Sequence, residues 1–238
     1  MPPPSVRAFL GSLVLAFAHL LAPLLERLPK RYVVPLGSFA GGAGLAYVFL
    51  YLLYELAKYG APKIHQLIPV GPEPLETLFI LLLCALLAHY LLQMWLEERA
   101  GIDYVYGGLA MTFIVYNFLA GVGLMEVAQS GEGGLLLYVA ALALHLLFND
   151  LLLSHLGAHT HHWRWRFGLA AAPLIGCAFA VKGVLSLGMQ YAMLAVIAGG
   201  TIIDVLRREL PSANAVRVVP FIAGALLYGA LIIANWSF

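Results

Sequence analysis

The stretch "GLLLYVAALALHLLFNDLLLSHL", Gly134 to Leu156, decides how this chain is built. A helix needs about 20 mainly apolar residues to cross roughly 30 Å of hydrocarbon, and these 23 residues are long enough to do so. Yet His145, Asn149 and Asp150 lie inside the run. A carboxylate at the centre of a bilayer costs at least ~2.5 kcal/mol on insertion scales, so such a helix needs partners that face its polar groups. The stretch therefore predicts a bundle of spans with a polar interior.

Composition agrees. Of 238 residues, 62% are hydrophobic and 11% charged, against about 25% charged in soluble domains. One compact core cannot hide that much apolar surface, so we expect an integral membrane protein. Eight runs bounded by charge, Pro or Gly have the required length: Ala8–Leu25, Tyr32–Leu56, Leu75–Leu96, Val105–Ala128, Gly134–Leu156, Gly168–Ser186, Gln190–Leu206 and Val218–Asn235. Their connections are short, so residues 1–238 are expected to form one all-α transmembrane domain. The first run has no small-residue cleavage site and is read as a retained span. Cys84 and Cys177, far apart in apolar runs, read as packing residues.

Lys and Arg accumulate in cytoplasmic loops. The loops after spans one, three, five and seven carry nine: Arg27, Lys30, Arg31, Arg99, Arg164, Arg166, Arg207, Arg208 and Arg217. The other side carries four: Arg7, Lys58, Lys63 and Lys182. Both termini are expected outside, in a plasma (inner) membrane. A net charge of +1, with no basic stretch interleaved with aromatics, predicts no nucleic-acid partner. The lipid bilayer is the expected environment, and a homodimer is compatible with the sequence.

An internal echo joins spans two and seven. "FAGGAGLAYVFLYLLYEL" and "IAGGTIIDVLRREL" each place Ala-Gly-Gly early in a helix that finishes with Glu-Leu. This suits inverted repeats of spans one to three and six to eight around a central pair. Polar residues inside the apolar runs are His19, His89, Asn117, His145, Asn149, Asp150 and Asp204. His145 and Asn149, four apart, share a helix face, and Asn117 sits halfway along span four. These three with Asp150 are expected to meet near the bilayer midplane, and imidazole with carboxylate is an ordinary ligand set for zinc and its neighbours. His19 and His89 have no acidic neighbour in sequence and read as satisfied core histidines. Asp204 reads as a local ion pair with Arg207 and Arg208, three and four residues on. His155, His159, His161 and His162, which run into "WRWR", read as an interfacial belt.

At the level of motifs the chain resembles the ZIP (Zrt/Irt-like) family of divalent-metal transporters. The family's span-four pattern His-Asn-x-x-Asp/Glu-Gly is similar to "YNFLAG", which keeps Asn117 and Gly121 and places Tyr116 and Ala120 at two ligand positions. The span-five pattern His-Glu-x-Pro-His-Glu is similar to "HLLFND", which keeps His145, ends on Asn149 and Asp150, and has Leu146 for the first acid. "YLLYE", Tyr51 to Glu55, stands where span two of the family closes with His-Leu-Leu-Pro-Glu. The resemblance implies eight spans in a 3+2+3 inverted-repeat bundle with a metal site between spans four and five. With only Asp150 as a clear anion, a two-metal centre is not expected, because one carboxylate cannot offset four positive charges in low dielectric.

The leading expectation is a divergent ZIP-like transporter of a divalent transition metal of the zinc, iron or manganese class. One ion would be held by His145 and Asp150, with Asn149, Asn117 and Tyr116 as further oxygen donors. The alternative is a ZIP-fold pseudo-transporter with a structural, regulatory or non-metal role. "HLLFN" also matches the His-x-x-x-Asn element of CAAX-type intramembrane proteases. The Glu-Glu-Arg spacing and the Phe-x-x-x-His motif of such enzymes are missing, so no enzyme is expected.

Overall fold

The computed structural model describes residues 2–99, 102–156, 162–209 and 215–236. Long helices account for nearly all of them, with no strand among the described residues. We number them α1 (Pro4–Glu26), α2 (residues 30–67), α3 (Pro74–Arg99), α4 (Ile102–Ser130), α5 (Glu132–Leu156), α6 (His162–Val181), α7 (Leu187–Asp204, prolonged by a π-helical turn at Val205–Glu209) and α8 (Ala215–Trp236). All but α6 are long and apolar enough to cross a membrane. The sixth helix has 20 residues and opens on His-Trp-Arg-Trp-Arg, which lowers its apolarity.

Each helix occupies one of the eight apolar runs, with two differences. First, α2 continues eleven residues past Leu56 to Leu67, through π-helical turns at Val48–Leu52 and Leu56–Gly60. Pro62 lacks an N–H, and in a regular helix its ring would press on the carbonyl four residues back. The widened turn just before it absorbs the mismatch, so the proline does not end the helix. Second, α6 stops at Val181 rather than Ser186. Gly183, in the left-handed region at φ +68°, turns the chain there, and the Ser186 hydroxyl accepts from the Met189 N–H to start α7.

Packing follows a small-inside, large-outside rule. On α1, Ala8, Ser12, Leu15, His19 and Ala22 form a buried stripe at helical spacing, whereas Phe9, Val14, Phe17, Leu20 and Leu24 are exposed. In lipid there is no hydrophobic drive to hide the large side chains, so helices associate through small residues and polar contacts. Glycines mark the closest approaches. A methyl group at Gly42 on α2 would overlap the Phe221 carbonyl on α8, and one at Gly224 would overlap the Phe39 carbonyl in return. Gly121 on α4 and Gly176 on α6 make the same reciprocal contact, against the carbonyls of Pro173 and Phe118.

The principal helix pairs are α2–α8, α4–α6, α2–α7, α1–α5, α1–α6, α3–α7, α2–α3, α4–α5, α4–α7, α1–α4 and α2–α5. Helices α3 and α4, though consecutive, touch little. Between them lies an open groove of about 910 Å³, walled by residues such as Leu81, Leu92, Met111 and Val115 and reaching inward to His89 and Tyr116. Cys84 is exposed on that groove and packs against nothing central, unlike the buried Cys177.

Candidate functional site

Three helices bring a polar group to the middle of the bundle. His19 projects from the buried stripe of α1, Asn117 from α4 and Asp150 from α5, and all three are almost completely buried. His19 Nδ1 lies 2.8 Å from Asp150 Oδ2, and its Nε2 lies 2.9 Å from Asn117 Oδ1. The Asn117 amide nitrogen donates to the Phe113 carbonyl one turn back, at 2.8 Å, which turns its oxygen toward the imidazole. That orientation settles the ring: Nε2 carries a hydrogen and donates to Asn117. A further proton lies between Nδ1 and Asp150, so the pair is imidazolium with carboxylate or imidazole with carboxylic acid. Both forms are electrically neutral overall, which is how a buried carboxylate is tolerated in low dielectric.

His19 is thus a satisfied core histidine, as its sequence reading expects, with both ring nitrogens paired. Its acid comes from a helix 131 residues away, and its ring joins two of the five predicted site residues. Two others face one another beside this group: the rings of Tyr116 and His145 are 6.1 Å apart and tilted by 55°. The Tyr116 hydroxyl hydrogen-bonds Thr201 of α7, tying the fourth helix to the seventh. Asn149, also buried, makes no hydrogen bond to this group, and its amide nitrogen has no hydrogen-bond partner. Ala120 and Leu146, which stand at ligand positions of the family pattern, are buried hydrocarbon. Next to His145 and Thr201 a small enclosed space of about 10 Å³ is walled by Tyr47, Tyr138 and their neighbours, room for about one water molecule.

A second group lies between α3 and α7. Asp204 Oδ1 is 3.3 Å from His89 Nε2 and accepts from Gln93 Nε2 at 2.5 Å. The Gln93 oxygen in turn accepts from Arg207 at 3.3 Å, and that guanidinium sits over the Tyr90 ring. The described partners of Asp204 lie across the helix interface, and Gln93 bridges it to Arg207; the side chain of Arg208, the other arginine of the expected local pairing, lies outside the described residues. Gly200 sits between the two groups, with Tyr116 on one side and His89 on the other. His155, His159, His161 and His162 lie outside the residues whose side chains are described.

Sequence reading found Asn117, His145 and Asp150 because they interrupt apolar runs, but it missed what Thr201, Gln93 and His19 do. A polar residue in a span signals that it needs a partner and says nothing of where that partner is. Among the described residues no three His, Cys, Asp or Glu side chains gather closely enough to hold a metal ion. No protein-family model matches the chain, and no curated protein is similar to it.

Proposed function

We propose that the chain is a ZIP-like membrane transporter that takes one divalent transition-metal ion of the zinc, iron or manganese class where α4 and α5 meet. The observation that carries this reading is the imidazole of His19 held between Asp150 and Asn117 in the buried centre of a membrane bundle. Polar groups are kept at such a depth against a cost, and that marks a functional position. His145 and Asp150 are the direct ligands, with Asn117, Asn149 and Tyr116 as oxygen donors. The ion takes the place of the proton that His19 and Asp150 share, and His19 is then released as an additional nitrogen ligand.

Helix pairing supports the repeat architecture of this reading. Exchange α1 with α6, α2 with α7, α3 with α8 and α4 with α5. The pair α2–α8 then becomes α7–α3, α4–α6 becomes α5–α1, α4–α7 becomes α5–α2, and α1–α6 and α4–α5 map onto themselves. The pair α2–α7 also maps onto itself, as a 3+2+3 inverted repeat requires, whereas α1–α4 and α2–α3 have no counterpart of like extent in α6–α5 and α7–α8 among the described residues. The echo belongs to it too: in α2 and α7 Ala-Gly-Gly is followed, five or six residues on, by a π-helical turn. The groove between α3 and α4 leads from Tyr116 toward the end that the charge bias places in the cytoplasm, with both termini outside. A plasma (inner) membrane is the location this proposal assigns.

A second reading is favoured by one observation. His19 meets the oxygens of Asp150 and Asn117 with its two ring nitrogens, so the same group can serve as a neutral polar staple in a pseudo-transporter. Elemental analysis of protein purified without chelator separates the two. The transporter reading expects about one bound ion per chain and uptake into proteoliposomes that His145→Ala combined with Asp150→Ala abolishes. A metal-free preparation with no uptake of zinc, iron or manganese sinks it in favour of the staple.

A further inference from the structure

At the end of the bundle that carries the α4–α5 and α6–α7 turns, a different set of polar groups is buried. Glu126 of α4 is 7% exposed, and one of its carboxylate oxygens accepts from the Tyr191 hydroxyl of α7. Its other oxygen, Oε2, is enclosed and has no hydrogen-bond partner. A second carboxylate, Glu55 of α2, is half-buried within electrostatic reach of both Glu126 and Tyr191. One helical turn further in, Tyr51 is within reach of Glu55, and Tyr47 stacks on Tyr51 with ring centroids 5.4 Å apart. The Tyr47 hydroxyl is likewise enclosed without a partner, in a residue 2% exposed.

These two enclosed atoms are independent signs that the group is incomplete. A buried carboxylate oxygen that accepts nothing is expensive in low dielectric, and so is a buried hydroxyl that donates to nothing. Of the positive charges nearby, Arg7 is turned to other groups, whereas Lys58 attracts Glu55 from outside the bundle. Arg7 donates to the Ala128 carbonyl at 2.8 Å and lies 3.7 Å from Glu132. Lys58, one turn from Glu55, sits outside over the rings of Tyr54 and Tyr59. The π-helical turns of α2 lie on either side of Leu53–Glu55 and re-aim this part of the helix. The second of them ends at Gly60, where the absence of a side chain lets Tyr191 approach.

We propose that Glu126, Glu55 and the hydroxyl of Tyr191 form a binding station for a hard divalent cation of the calcium, magnesium or manganese class, separate from the central cluster. The donors are all oxygen, two of them carboxylates, and an oxygen-only set selects hard cations over those that prefer imidazole or thiolate. Tyr51 and Tyr47 continue the row of hydroxyls inward to the small space beside His145. The station shares no residue with the central cluster and does not depend on transport taking place there.

The test is a titration of the full chain, in a neutral detergent, with terbium(III), an oxygen-seeking ion whose emission is sensitised by an adjacent tyrosine. Saturable emission that calcium or manganese displaces is expected. Glu126→Gln should weaken terbium binding by about tenfold or more and Glu55→Gln by a few-fold, since affinity follows the number of carboxylate ligands. Glu76→Gln, which alters an exposed carboxylate of α3 outside both polar groups, should leave the curve unchanged. If Glu126→Gln does not yield a monodisperse protein, the half-exposed Glu55→Gln gives the same reading. Absence of saturable emission, an unaltered curve in the Glu126 and Glu55 variants, or an equal loss of binding in Glu76→Gln would each overturn the proposal.

Discussion

His19 and Glu126 are buried to nearly the same degree, yet both ring nitrogens of His19 have partners while one oxygen of Glu126 has none. The His19 imidazole is closed: a carboxylate oxygen of Asp150 and the amide oxygen of Asn117 meet its two nitrogens across three helices. Glu126 belongs to an open set, in which one hydroxyl reaches one carboxylate oxygen and the rest is left over. Burial alone therefore does not distinguish a group that holds the fold together from one that awaits a ligand. The state of its last polar atom does, because an unmade hydrogen bond in low dielectric costs more than a made one gains.

If the closed set is structural, breaking it should produce the largest effect. His19→Ala leaves Asp150 without its imidazole and is expected to destabilise the protein by ~3–5 kcal/mol, read as a lowered unfolding midpoint in detergent. His19→Leu combined with Asp150→Leu should restore most of that loss, since removing both members of a buried pair is often close to neutral. A double variant as unstable as His19→Ala would show that the pair does more than satisfy itself. Asn117→Leu removes the acceptor from His19 Nε2 and should cost ~1–3 kcal/mol, the usual penalty for one stranded buried donor.

The open set should respond in the opposite direction. Glu126→Gln, measured without added cations, is expected to be neutral or to stabilise by up to ~1 kcal/mol, because it removes a carboxylate whose burial is uncompensated. A destabilisation as large as that of His19→Ala would erase the contrast between the two groups. The smallest effect is expected from Lys58→Ala. Its exposed ammonium competes with a cation for Glu55, so terbium affinity should rise by about two- to threefold and the gain should vanish in high salt.

How much of this was legible beforehand differs between elements and site. Every helix was visible as an apolar run because the period of the signal is the thickness of the membrane, a property that needs no knowledge of neighbours. The extension of α2 past Leu56 was hidden because Lys58, Gly60 and Pro62 are stop signals locally, and only a widened turn lets the helix ignore them. Asn117, Asp150 and His19 were all visible as polar interruptions, but not that His19 joins the other two. His19 carries no acid within a helical turn, and nothing along α1 says that α5 will supply one. Asp204 is a second case: its nearby arginines suggested a local partner, and packing of α7 on α3 added His89 and Gln93, which no spacing along α7 announces.

Taken alone, the order of residues determined that the chain lives in a membrane, where its spans lie and which side chains are too polar to face lipid. These follow from transfer free energies, which sum residue by residue. Which polar groups meet, and which are left incomplete, was decided only when eight helices closed on one another. Hydrogen bonds have a reach of about 3 Å, and no distance along the chain predicts which atoms come that near.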